Sequence, residues 1–313
     1  VGNQMKELTR RKIDNGATEE EKLRQWGYLV LPWLTPKELS NVSLTCKTLL
    51  FLAKSIQHRR CLDATRSMEA ACVPFHNPLN HPPYHHFLYS TSQFISTPQS
   101  LSFPPRQFWG GLDSLTSSSD KTHNPSSHPC RCTGVKDIMV DCGKHCVTRR
   151  RISLKLKIVW GEKKGWGLFA DEAIGKHQFI CEYAGELLTI EEARKRQSKY
   201  DCLSRNERFS AALLVVREHL PSGKACLRMN IDATRIGNIA RFINHSCDGG
   251  NLLSVVIRRC DSVLPRLCFF SARDIEEGEE LAFSYGESRR RSDGAECFCG
   301  SDCCFGTLPS EDT

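Results

Sequence analysis

Between Ile152 and Gly286 the chain is divided into seven short runs of strand-forming residues, each closed by turn residues. They are 152–160 (ISLKLKIVW), 178–188 (QFICEYAGELL), 209–216 (FSAALLVV), 226–233 (CLRMNIDA), 254–259 (SVVIRR), 266–275 (RLCFFSARDI) and 280–286 (ELAFSYG). The first alternates Ile152, Leu154, Leu156 and Ile158 with Ser153, Lys155 and Lys157, the period-two pattern of a half-buried strand. A single clear helix interrupts the series, opened by Thr189 as N-cap with Glu192 at N3 in a capping box. A parallel sheet needs a long crossover, usually a helix, between successive strands, so this half of the chain folds as a mainly-β domain.

Upstream the texture differs. Residues 1–28 are polar and charged, with a helix expected around Glu19–Gln25. Residues 29–72 read as a small helical segment: Leu31-Pro32 opens it, Thr35-Pro36 supplies an N-cap with Pro at N1, and Leu39, Val42, Leu44, Leu49 and Leu52 are its apolar positions. Residues 73–129 are rich in Pro, Ser, Thr and His and read as a largely irregular linker. Its His76, His81, His85 and His86 sit in proline-broken spacing that gives no ligand geometry. The start of the chain is polar and shows no secretory signal. No run approaches the roughly 18 apolar residues of a membrane helix, so no membrane span is expected. A net charge of +7 suits work near polyanions such as chromatin or nucleic acid.

Seventeen cysteines in 313 residues are far more than an ordinary intracellular chain carries. The number is odd and no export signal is visible, which favours thiolate ligands for zinc over disulfides. Two clusters stand out: Cys130, Cys132, Cys142 and Cys146 before the first strand, and Cys297, Cys299, Cys303 and Cys304 after the last.

The segment Lys164-Gly165-Trp166-Gly167 continues to Ala170 and matches the loosest dinucleotide-binding fingerprint. The context rejects that reading, because Gly175 interrupts any following helix and a new strand begins near Phe179. By itself the motif is a tight glycine turn with exposed backbone groups.

Its company is more telling. The ordered motifs EYAGE (182–186), RFINHSC (241–247), AFSYG (282–286) and CFCGSDCCFG (297–306) resemble the SET domain and post-SET tail of protein lysine methyltransferases, in particular the plant SUVR group of the Su(var)3-9 class. The resemblance implies a SET fold of short curved sheets, with the RFINHSC segment passing beneath the FSYG strand in a pseudoknot. It implies S-adenosylmethionine held by Lys164, Gly165, Trp166 and Gly167, with Arg241, Asn244 and His245 completing the pocket. Tyr285 and Tyr183 fall on the family's channel tyrosines. Phe283 falls where Phe, rather than Tyr, leaves room for a methylated amine, implying di- or trimethylation. Cys247, Cys297, Cys299 and Cys304 take the post-SET zinc positions, with Cys303 outside the set. Cys130, Cys132, Cys142 and Cys146 resemble a shortened pre-SET zinc segment.

The domains expected are therefore a polar segment (1–28), an F-box-like helical segment (29–72), a linker (73–129), a truncated pre-SET (130–151), a SET catalytic domain (152–287) and a post-SET tail (288–313). The expected partner is the histone H3 tail within a nucleosome, most simply at lysine 9, in the nucleus. Two other readings stay open here: a catalytically silent chromatin-binding SET protein, and a ubiquitin-ligase subunit docking a Skp-type adaptor through the helical segment.

Overall fold

The structure, a computed structural model, describes residues 18–34, 36–77, 87–95, 151–206, 210–219, 226–259, 262–286 and 294–309. Cys130, Cys132, Cys142 and Cys146, and His81, His85 and His86, lie outside these residues.

Two compact units divide near residue 60. The first contains helix α1 (Glu19–Val30), a single 3-10 turn (Leu31–Trp33), α2 (Pro36–Ser43) and most of α3 (Lys47–Leu62). Thr18 caps α1 in a complete capping box with Glu21, and α1 runs through the 28/29 boundary set by composition. Leu31, Leu34, Leu39, Leu52, Ala53 and Ile56 form a small core. Leu44, expected on the apolar face, is instead 83% exposed in the turn between α2 and α3. Buried Arg60 donates Nη2 to the Leu34 carbonyl at 2.9 Å, tying the end of α3 to the helical turn.

The second unit is mainly β, as the period-two runs require. Its elements are β1 (Phe75–His76), β2 (Leu88–Tyr89), β3 (Leu156–Gly161), β4 (Gly165–Ala170), β5 (Phe179–Glu182), β6 (Gly185–Leu188), α4 (Ile190–Asn206), β7 (Leu213–His219), β8 (Cys226–Gly237), β9 (Asn244–His245), β10 (Leu252–Arg259), β11 (Ser262–Ser271) and β12 (Ala282–Phe283). They make short sheets: β1-β3-β4, β10-β11-β5, β9-β12, and β2-β8-β6 with β7 also on β8. Burial alternates along 152–158, although pairing starts only at Leu156. Thr189 Oγ1 accepts the Glu192 N–H, as a cap should. The Glu192 carboxylate accepts from Arg196, which also reaches Glu186 (2.6 Å) and Asp232 (2.8 Å), fastening α4 to β6 and β8.

The linker reading fails at its N-terminal end. Val73, Phe87 and Tyr89 are in the core, β1 pairs parallel with β3, and β2 pairs parallel with β8. Phe94 bridges β6, exchanging bonds with Gly185 and Leu187, and the Gln93 N–H donates to Glu182. Proline-rich composition reports a poor capacity for long ladders. It does not exclude two-residue strands that complete the edges of sheets built by other residues.

Candidate active site

Strands β3 and β4 form a hairpin paired from Leu156↔Ala170 to Gly161↔Gly165, so the glycine turn sits at its tip. Gly165 takes φ +74°, the left-handed region where a side chain strains the backbone. Beside the tip lies a cleft of about 300 Å³ lined by Trp160, Lys164, Gly165, Gly167, Phe169 and Glu280 among others. Trp166 packs its ring edge-on against Phe75 and Trp160, each 5.2 Å between centroids.

Asn244 reaches this turn because β9 pairs parallel with β12, Asn244 opposite Ala282 and His245 opposite Phe283. The pairing joins residues nearly forty positions apart. In the turn after β9, Gly250 lies so close to the Ala282 carbonyl that no side chain would fit. Asn244 donates Nδ2 to Glu280 Oε1 at 2.8 Å and to the Trp166 carbonyl at 3.4 Å, while Lys164 Nζ pairs with Glu280 Oε2 at 2.6 Å. The expected group Lys164, Gly165, Gly167 and Asn244 is therefore drawn together by Glu280, a residue that sequence reasoning passed over. Nothing local distinguishes it from Glu279, which pairs with Arg273.

Arg241 is engaged elsewhere. It donates Nε to the Ala233 carbonyl (3.1 Å) and Nη2 to the Thr234 carbonyl (3.3 Å), and its guanidinium lies over Phe87 (4.8 Å) and Phe242 (4.9 Å). The carbonyls of Ala233 and Thr234 and two aromatic faces hold it as a brace for β8, while its buried Nη1 has no hydrogen-bond partner among the described residues. Burial lowers its pKa to about 10.

The three expected aromatic residues lie on one run of rings. Tyr183 is 6.3 Å from Phe269, Phe269 4.6 Å from Phe283, and Phe283 5.0 Å from Tyr285. Phe269, on β11, was not singled out from the sequence; its only signal there is membership of an apolar strand. Tyr285 donates its hydroxyl to the Ile243 carbonyl at 2.9 Å, and Tyr183 donates to the Ala212 carbonyl at 3.1 Å. Burial raises both phenols well above their usual range, and the neighbouring Tyr285 adds to the shift at Tyr183. Each hydroxyl is thus neutral, has its proton committed to a backbone carbonyl, and retains a lone pair to accept another hydrogen bond.

His245 links this run to the thiols. Its Nδ1 accepts the Tyr285 N–H at 3.1 Å, and its Nε2 lies 3.3 Å from Cys247 Sγ. Burial lowers its pKa, which keeps the ring neutral for that acceptor role. Cys247, Cys297, Cys299 and Cys304 then place their four sulfurs within 4.8 Å of one another, with Cys247 and Cys297 3.8 Å apart. A tetrahedral zinc with bonds of about 2.3 Å sets sulfurs about 3.8 Å apart, so this donor set fits zinc. Cys303 is exposed and outside the cluster. Phe298, between two of the cysteines, stands 6.0 Å from Lys163 Nζ, bringing the C-terminal tail to the rim of the glycine turn.

Residues 165–286 match the family model described as the SET domain. The chain is 48% identical to the histone-lysine N-methyltransferase SUVR3 of Arabidopsis thaliana, over 91% of either chain. It is 36% identical to the histone-lysine N-methyltransferase SETMAR of Rattus norvegicus, over 55% of this chain and 58% of that one. Among solved structures, the methyltransferase domain of human SETMAR superposes with a TM-score of 0.55 at 27% identity, covering 79% of this chain and 97% of that domain. SUVH6 of Arabidopsis thaliana in complex with SAM gives a TM-score of 0.55 at 24% identity, over 79% and 56%.

Proposed function

Because the chain belongs to the SET-domain family of histone-lysine methyltransferases, we propose that it transfers methyl groups from S-adenosylmethionine to lysine 9 of the histone H3 tail, and to more than one methyl per lysine. The observation that carries this reading is the run Tyr183–Phe269–Phe283–Tyr285, buried as far as Phe283 and half-buried at Tyr285, with two neutral phenols whose protons are already committed.

A lysine ammonium has a reference pKa near 10.4, and only the neutral amine is a nucleophile. A channel walled by these rings disfavours the charged form by desolvation. The Tyr285 and Tyr183 oxygens can accept amine N–H bonds and so direct the nitrogen lone pair, a positioning effect worth several kcal/mol of barrier. When bound, S-adenosylmethionine supplies the electrophilic methyl group.

The cleft residues fit that cofactor. A Cβ at Gly167 would lie 2.8 Å from Glu280 Oε1 and 3.1 Å from Asn244 Nδ2, so these polar groups converge where a side chain would otherwise displace them. Lys164, Gly165, Trp166 and Gly167 offer main-chain groups and Asn244 a side-chain acceptor. We assign the four thiolates of Cys247, Cys297, Cys299 and Cys304 to zinc, which would hold the tail beside the channel. Phe283 carries no hydroxyl to crowd a methylated amine, and this supports di- and trimethylation. The histone tail, and with it a place on chromatin in the nucleus, follows from the same reading.

Radiolabelled transfer to H3 peptides with single lysines replaced tests it. Wild type should label every peptide except the one lacking lysine 9, and Tyr285→Phe should lower kcat by about 10²- to 10⁴-fold. Labelling that survives replacement of lysine 9 would refute the site. Mass spectrometry showing only monomethyl product after prolonged incubation would refute the role given to Phe283.

A further inference from the structure

Glu280 is bonded on both carboxylate oxygens by groups at the proposed cofactor cleft. Oε1 accepts from Asn244 Nδ2 at 2.8 Å, and Oε2 pairs with Lys164 Nζ at 2.6 Å. The backbone delivers it there: Glu280 bridges Phe169 in antiparallel fashion and the following Leu281 N–H donates to the Leu168 carbonyl, so β4 and the chain entering β12 run side by side. The absent side chain of Gly167 leaves the space the carboxylate occupies, since a Cβ would meet Oε1 at 2.8 Å.

A primary amide has two N–H donors on one side and one oxygen acceptor on the other. Both acceptors found for Asn244 lie at its nitrogen: Glu280 Oε1 and, at 3.4 Å, the Trp166 carbonyl. An amide flipped by 180° would set its oxygen against a carboxylate and a carbonyl, which is repulsive. The carboxylate therefore decides which way Asn244 faces. Among the described residues the Asn244 Oδ1 accepts no hydrogen bond, which leaves it free to accept from a ligand.

We propose that Glu280 is a positioning residue for cofactor recognition: it locks the Asn244 amide so that Oδ1 accepts from the α-ammonium of S-adenosylmethionine. The inference rests on the function proposed above. It separates two parts of the ligand. The ammonium belongs to the amino-acid portion, so the adenosine portion is indifferent to Glu280.

The test is calorimetric titration of the full chain with two probes, S-adenosylhomocysteine, which carries the amino-acid portion, and 5′-methylthioadenosine, which lacks it. Glu280→Ala frees the amide to flip and removes the partner of Lys164. Its affinity for S-adenosylhomocysteine should fall by about ten- to a hundredfold, the range for a hydrogen bond to a charged group, while that for 5′-methylthioadenosine changes less than about threefold. Glu280→Gln keeps an oxygen that can accept from Asn244 and should recover part of the loss. A merely structural carboxylate would weaken both probes together, and that outcome overturns the proposal, as does an unchanged affinity for S-adenosylhomocysteine. If wild type binds neither probe, the functional reading itself fails, a result distinct from any pattern among the variants.

Discussion

Two glycines with the same clash distance should respond in opposite ways to a single methyl group. A Cβ added at Gly167 would lie 2.8 Å from Glu280 Oε1, 3.0 Å from Phe169 Cε2 and 3.1 Å from Asn244 Nδ2, all side-chain atoms. A Cβ added at Gly185 would lie 2.8 Å from the Asp232 carbonyl oxygen and 3.0 Å from its carbon, both backbone atoms in the β6–β8 ladder. Neither glycine adopts the left-handed backbone, so conformational strain does not distinguish them. Side chains can rotate away, whereas a paired strand cannot. For Gly185→Ala the overpacking cost of about 1–3 kcal/mol applies in full. At about 2–4 °C per kcal/mol for a unit of this size, the melting temperature should fall by about 2–12 °C. For Gly167→Ala the moving group is the carboxylate, and part of its cost is offset by about 0.4–1 kcal/mol from a stiffer unfolded chain. Its melting temperature should stay within about 3 °C of wild type. The displaced groups are those that present Asn244, however, so S-adenosylhomocysteine should bind about tenfold more weakly. Scanning calorimetry and titration calorimetry on both variants decide the matter. A Gly167→Ala chain that melts as early as Gly185→Ala while binding S-adenosylhomocysteine normally would refute the reasoning.

Three further outcomes are expected. Glu69 is half-buried, and although the Ile152 N–H and Tyr89 hydroxyl stabilise its charged form, desolvation pushes its carboxyl up to about 7 from 4.5. A raised carboxyl gives stability that is complete below about pH 4.5 and lost as pH rises through about 7. Glu69→Gln should therefore flatten the fall in unfolding free energy, from urea titrations between pH 4.5 and 7.5, by an amount on the order of 3 kcal/mol; an unchanged slope would exclude Glu69 as its source. Cys247→Ser should lower bound zinc by one ion per chain, measured by inductively coupled plasma mass spectrometry, and lower kcat/KM; full zinc content would place the metal elsewhere. Arg241→Met leaves the Ala233 and Thr234 carbonyls without their donors and should destabilise the fold by about 2–4 kcal/mol in urea unfolding, whereas a loss under about 0.5 kcal/mol would contradict the bracing role.

The parts of this protein visible in its sequence are those set by neighbours along the chain. Alternating Ile152, Leu154, Leu156 and Ile158 require a half-buried strand wherever it ends up, and Thr189 caps the helix that follows it. Motif resemblance added the aromatic residues Tyr183, Phe283 and Tyr285 and the four cysteines, and the structure brings each of these sets together. Composition misled where it was the only guide. The proline-rich stretch from 73 nevertheless supplies Val73, Phe87 and Tyr89 to the core, because a strand of two residues leaves almost no periodicity to read.

What remained hidden depends on which distant segments meet. Glu280 and Glu279 are chemically identical neighbours, yet one reaches Lys164 and Asn244 and the other Arg273. Arg241 could serve a ligand or a strand equally well until Ala233, Thr234 and Phe87 are placed around it. A residue's type and its spacing to near neighbours are properties of the linear chain. The partner at its far end is chosen by the sheet order that pairs β9 with β12 and β3 with β4, and only the folded topology contains that choice.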